Sequence, residues 1–218
     1  MTKKEKVQII KKYLDEVYGD APCTLDYDDP FQLLVATVLA AQCTDARVNL
    51  VTPALFKRFP TVQSFAEADT AEVEELIRST GFFRNKAKNI VACANALLER
   101  HDGKVPDTME ELVALPGVGR KIANLLLGDI FGKPAIVADT HMIRICGRFG
   151  MYPQKLKDPY KVEMTMSKLV EYSQQSDFCH RIVQFGRDFC SARAPRCSEC
   201  PVYALCEEGK RRATVKDL

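Results

Sequence analysis

The sequence predicts an all-α protein built from many helices of modest length. Apolar residues recur at helical spacing along the whole chain, and no pair of period-two segments reads as a strand hairpin. Ala135-Ile136-Val137-Ala138 is the one short β-prone run, and no fixed-length repeat or low-complexity linker interrupts the pattern. With 218 residues, 46% of them hydrophobic, the chain can bury a substantial core as one large domain or two small ones.

The elements follow in order. Residues 2–18 set Val7, Ile9, Ile10, Leu14 and Val17 at helical spacing among charged residues until Gly19 stops the run, which predicts an amphipathic surface helix. Asp28-Asp29-Pro30 closes a polar stretch that reads as a loop and a crossing between domains. Phe31 to Ala41 is apolar almost all round, too short for a bilayer, and predicts a buried central helix. Asp45 is the expected N-cap of the next helix, which runs through Val48, Leu50, Val51, Leu55 and Phe56. Thr70 is the expected cap of a helix to Ser79, and the segment from Thr80 to Asn85 breaks the pattern before another over 86–100. Asp107 is expected to cap a short helix, and Lys121 to Phe131 forms the next. Asp139-Thr140 open a helix through Met142, Ile143 and Ile145 to Gly147, and two more fit about 158–173 and 177–190.

Charge restricts the partners only locally. The 31 Lys+Arg against 29 Asp+Glu leave a net charge of +2, so any surface for a polyanion must be a patch. No window has the apolar length of a membrane span, and the start rich in lysine (Lys3, Lys4, Lys6) continues into an amphipathic helix instead of a secretory signal. A cytoplasmic location is the default expectation. Nine cysteines are many for a reducing compartment, and four of them crowd the C-terminal end, which points to metal rather than disulfides.

Two stretches carry chemistry. In Leu115-Pro116-Gly117-Val118-Gly119-Arg120-Lys121 a Pro/Gly turn joins two helical segments, and its glycines let amides face outward where a helix presents unpaired N–H groups. This makes either a phosphate cradle or a tight interhelical turn, and Lys121, a cation at the positive end of a helix, favours the cradle. Cys190, Cys197, Cys200 and Cys206 form C-x6-C-x2-C-x5-C in a loop rich in Pro, Arg and Ser. Four thiolates can bind structural zinc or a [4Fe–4S] cluster; only the middle pair is closely spaced, which leans toward the cluster. Cys23, Cys43, Cys93, Cys146 and Cys179 read as small core residues.

LPGVGRK at 115–121, VADTH at 137–141 and the four-cysteine ending together resemble the endonuclease III family. LLVATVLAAQCTDARVN at 33–49 and GFFRNKAKNI at 81–90 extend the likeness over nearly the whole chain. The resemblance implies a helix-hairpin-helix DNA glycosylase with lyase activity and a [4Fe–4S] cluster on the four cysteines. It also implies a six-helix domain over 23–132 and a cluster domain from 1–22 and 133–218, with the active-site cleft between them. The implied partner is double-stranded DNA carrying damaged bases or abasic sites, bound by a monomer in a bacterial-type, nucleoid-associated setting.

A glycosylase must extrude the target nucleotide and fill the gap it leaves. Lys121 is the candidate nucleophile for C1′, expected in a partly buried cleft that keeps its amine available, and Asp139 is the matching carboxylate. By the resemblance, Gln42 fills the vacated stack and Phe82, where the family often has leucine, wedges the opposite strand. Gly117, Val118 and Gly119 with Arg120, Arg84 and Asn85 are expected at the DNA backbone, with Lys86, Lys88 and Arg193 as further phosphate contacts. Adenine-excising relatives instead carry a catalytic glutamate near the position of Thr37, and the chain has no room for their C-terminal recognition domain. The preferred reading is therefore a bifunctional glycosylase for oxidised or ring-saturated pyrimidines. A mismatch-directed uracil or thymine glycosylase and a non-catalytic DNA-binding module remain alternatives.

Overall fold

The computed structural model describes residues 1–216, and among them the chain is helical throughout, with no strand. The β-prone run at 135–138 is extended but unpaired. The chain divides into two compact units, one of Cys23–Phe131 and one of Met1–Pro22 with the residues from Gly132 onward.

The unit that combines both ends opens with helix α1 (Lys3–Tyr18). Thr2 and Glu5 form a reciprocal capping box at its start, and Gly19, at φ 51°, ends it. Val7, Ile10 and Leu14 bury one face among Met142, Ile145, Phe149, Phe178, Ile182 and Phe185. Ile9 and Val17, expected on that face, are 49% and 50% exposed, because the stripe that docks is narrower than the apolar pattern. Arg181 ties the same helix from the side, donating to the Gly19 carbonyl and pairing with Asp15 at 2.8 Å.

In the unit Cys23–Phe131, α2 (Pro30–Leu39) is the spine: Asp29 caps it, Pro30 starts it and nearly every residue is buried. Around it lie α3 (Asp45–Arg58), α4 (Val62–Ala66), α5 (Thr70–Ile77), α6 (Phe83–His101), α7 (Met109–Val113) and α8 (Arg120–Asp129). Helix α6 packs on α2, α4 and α5, while α8 packs on α2 and α7. Phe65 of α4 meets Phe31 edge-on at 5.3 Å between ring centres.

Three expected caps move by one residue. Thr44, Asp69 and Thr108, rather than Asp45, Thr70 and Asp107, accept the first-turn amides of α3, α5 and α7. In each case two capping-competent residues are adjacent, and the one that keeps extended backbone takes the role. The other unit continues with α9 (Thr140–Arg148), α10 (Pro159–Met166), α11 (Gln175–Asp188) and α12 (Glu207–Lys216). The segment expected as one helix over 158–173 stops at Met166, and the 3₁₀ turn Tyr172–Gln174 leads into α11. Helices α4 and α12 have no counterpart in the sequence reading.

Leu14→Ala is predicted to lower the unfolding free energy of its unit by about 2–5 kcal/mol, measured by urea denaturation. A loss below about 1 kcal/mol would show that α1 is not part of that core.

Candidate active site and cysteine loop

The hairpin is held from beneath by its own apolar residues. Leu112, Leu115 and Val118 are buried, the Leu115 amide donates to the Leu112 carbonyl and the Val118 amide to the Leu115 carbonyl. Val118 therefore packs the turn from within, with its side chain buried and its amide bonded to Leu115. Gly117 sits at φ 78°, and a Cβ there would lie 2.8 Å from the Asn89 Cβ on α6. Gly119 departs from the expectation for both glycines, with ordinary extended backbone (φ −94°) and open space where a Cβ would be. It is the N-cap of α8 and offers no side chain, so no side chain caps the first-turn amides of that helix.

Lys121 is the second residue of α8 and is exposed, where a partly buried position was expected. The reason is register: Ala123, Asn124, Leu126 and Leu127 form the buried face of α8, and Lys121 falls off it. Arg120 is exposed beside it.

Gln42 and Phe82 occupy two exposed turns of the same unit. Both hold left-handed backbone, at φ 55° and 49°, a conformation that costs a residue with a side chain about 1–2 kcal/mol. Phe82 is 63% exposed and stands at the N-cap of α6. Arg84 and Asn85 follow it on the exposed first turn, with the Arg84 guanidinium 5.1 Å over the Phe83 ring and 3.9 Å from Glu74. Lys88 is exposed as well, and Arg193 is exposed in the other unit.

Lys86 is a correction. It is 5% exposed, and its ammonium donates to the carbonyls of Leu39 and Thr80, each at 2.8 Å, so it cannot serve as a phosphate contact. Burial lowers its pKa from the ordinary lysine value, against an opposing pull from Cys43. Its position in sequence carries a signal: 86, 90, 93 and 97 share the buried stripe of α6 with Ala87 and Ala94. Thr37 lies on α2, buried, with its hydroxyl donating to the Leu33 carbonyl.

Asp139 belongs to the other unit. It caps α9 as expected: its Oδ1 accepts from the Met142 amide at 2.7 Å, while buried Ile136 and Ala138 anchor the approach. The carboxylate is half-buried and fixed in orientation.

All nine cysteines are free thiols. Cys190, Cys197, Cys200 and Cys206 line one cavity with Arg148, Phe149, Phe185, Phe189 and Tyr203. Two 3₁₀ turns, Cys197–Glu199 and Tyr203–Leu205, shape the loop. The buried Arg148 guanidinium donates to the Cys190 sulfur at 3.2 Å and to the carbonyls of Ser191 and Ala192, and the Gly209 amide donates to the Cys206 sulfur at 3.3 Å. Burial pushes the Cys200 thiol up to about 11 and raises Cys206. Among the described residues no three Cys, His, Asp or Glu side chains converge as ligands of a single metal ion. Of the cysteines read as core, Cys93 and Cys146 are fully buried and Cys179 nearly so, whereas Cys23 and Cys43 are half-buried.

A model of the HhH-GPD superfamily of base excision DNA repair proteins matches residues 35–172. The chain is 48% identical to endonuclease III of Synechocystis over 94% of this chain and 93% of that one. It is 38% identical to endonuclease III of Escherichia coli K12 over 95% and 97%. A solved non-covalent complex of endonuclease III with DNA superposes with a TM-score of 0.92 at 40% identity, covering 98% of this chain and all of that one. A trapped covalent intermediate of endonuclease III with DNA matches equally well.

Gly117→Ala is predicted to lower stability by about 1–3 kcal/mol through positive φ and the Asn89 contact, whereas Gly119→Ala changes it by less than about 1 kcal/mol. Thermal melts distinguish the two, and equal losses would contradict the asymmetry. Asp139→Asn keeps the cap and should melt close to the parent, while Asp139→Ala costs about 1 kcal/mol.

Proposed function

We propose a division of roles for a chain that belongs to the endonuclease III family of the HhH-GPD superfamily and is a base excision repair DNA glycosylase with abasic-site lyase activity. Lys121 Nζ attacks C1′ of the damaged nucleotide, and the glycosidic electron pair leaves with the base. The sugar ring then opens to a Schiff base on Lys121. Removal of a C2′ proton expels the 3′ phosphate by β-elimination, and water later releases the lysine. One observation carries this assignment: the lysine stands on the first turn of a ten-residue helix that lacks a side-chain cap and opens from the Gly117/Gly119 turn. Amides there can hold a DNA phosphate while the amine reaches the sugar. The covalent intermediate with DNA trapped for a relative supports a covalent mechanism. Because Lys121 is exposed within its own unit, the water around it must be displaced by bound DNA.

Asp139 takes up a proton or stabilises charge developing on the sugar, with the Met142 amide orienting its carboxylate. Gln42 fills the vacated stack and Phe82 wedges the opposite strand, while Arg84, Asn85 and Arg120 meet phosphates. The substrates are damaged duplexes bearing oxidised or ring-saturated pyrimidines. Thr37, a hydroxyl already engaged by its own helix, offers no acid to protonate a purine leaving group, which supports that choice.

Cys190, Cys197, Cys200 and Cys206 would hold a [4Fe–4S] cluster. The four thiols line one cavity, and four thiolates are the donor set that a [4Fe–4S] cluster takes. When bound, the cluster supplies a rigid cross-link that holds the loop over 190–206. Arg148 and the Gly209 amide donate to two of its sulfur ligands.

Borohydride reduction in the presence of abasic duplex should trap a covalent adduct with the parent protein and none with Lys121→Gln. Trapping by that variant at the parent level would remove Lys121 from the chemistry. Iron analysis should return iron and a broad blue-region absorbance, and zinc alone would exclude the cluster. Cys197→Ser should destabilise the loop and weaken DNA binding; unchanged melting and affinity would contradict a structural role for the metal.

A further inference from the structure

We propose that Lys86 is a positioning residue for base extrusion: its ammonium joins the two exposed turns that carry Gln42 and Phe82. This rests on the reading of those two residues as the ones that enter the duplex.

The bonded carbonyls are not arbitrary. Leu39 is the last residue of α2, three before Gln42, and Thr80 closes the 3₁₀ turn Arg78–Thr80, two before Phe82. Carbonyls at the ends of helical turns lack intrahelical partners and carry partial negative charge, so a cation placed between two of them satisfies both. The Lys86 amide also donates to the Phe82 carbonyl at 3.1 Å, so one residue grips the second turn through main chain and side chain together.

The two tips need such a grip. Gln42 and Phe82 both hold left-handed backbone without being glycine, and such conformations persist only where the surroundings over-determine them. The two turns are separated by α3, α4 and α5 in sequence, and the Lys86 ammonium bonds a carbonyl at the base of each. A residue filling the emptied stack and a residue wedging the other strand must arrive at a fixed separation. Lys86 supplies a common anchor for both. A methionine could fill the same volume in the buried stripe of α6, but it could donate to neither carbonyl.

The test compares single-turnover processing of a duplex carrying a ring-saturated pyrimidine, whose base must be extruded, with cleavage of an abasic site in single-stranded DNA, where no base need be unstacked. It uses the cluster-loaded parent, Lys86→Met and Lys86→Arg. Lys86→Met is expected to lose about tenfold or more on the duplex, with the single-strand rate within about twofold of the parent. Lys86→Arg, which can still donate to the carbonyls, should recover part of the duplex rate. Equal loss on both substrates, or no loss on the duplex, overturns the proposal. If Lys86→Met does not fold, Lys86→Arg carries the comparison, with a loss confined to the duplex expected. If neither folds, Lys86 is a fold residue and the proposal falls. A parent that cleaves neither substrate would instead overturn the proposed function, so the two failures are distinguishable.

Discussion

Every helix leaves its first amides and last carbonyls unpaired, and the need to satisfy those groups is the constraint on which this all-α chain depends. Thr2, Asp29, Thr44, Thr61, Asp69, Thr108, Asp139 and Asp158 each turn a side-chain oxygen onto the first turn of the helix that follows. Helix α11 lacks such a cap but is entered through a 3₁₀ turn. Two other helices without a side-chain cap, α6 and α8, begin at the turns that carry Phe82 and Lys121. Eight of the described helices thus begin with a side-chain cap, whereas α8, where a phosphate is proposed to dock, begins without one.

The same constraint accounts for the buried charge. An ammonium in an apolar interior is costly unless its donors are used. Lys86 uses them on two carbonyls at the ends of helical turns, so its burial and the placement of the two exposed tips share one cause. Arg148 acts in a parallel way in the other unit, with its guanidinium bonded to consecutive carbonyls and a sulfur of the cysteine loop. In both places a long cation organises irregular backbone that has no helix to satisfy it.

Much of this could be read from sequence because its signals are local. The buried spine over 31–39, the stop at Gly19, the Asp139 cap and the cysteine loop each follow from composition and spacing within a few residues. The caps at 44, 69 and 108 shifted because adjacent residues compete for one role, and only the backbone decides between them. Lys86 departs from its expected exposure for a different reason. Residue type argued for solvent, while its place in the apolar stripe of α6 argued for burial, and the carbonyls that resolve the conflict come from segments 6 and 47 residues away. The exposure of Lys121 likewise depends on helical register against α2 and α7, which a seven-residue motif does not contain.

The central claim is that the open end of α8 carries the chemistry, and the direct test is to locate the covalent bond. Parent protein is trapped on abasic duplex with borohydride, digested, and its DNA-linked peptide sequenced by mass spectrometry. The account predicts that the modified amine is Lys121. A reduced adduct on the N-terminal amine, or on another lysine such as Lys88, would contradict it.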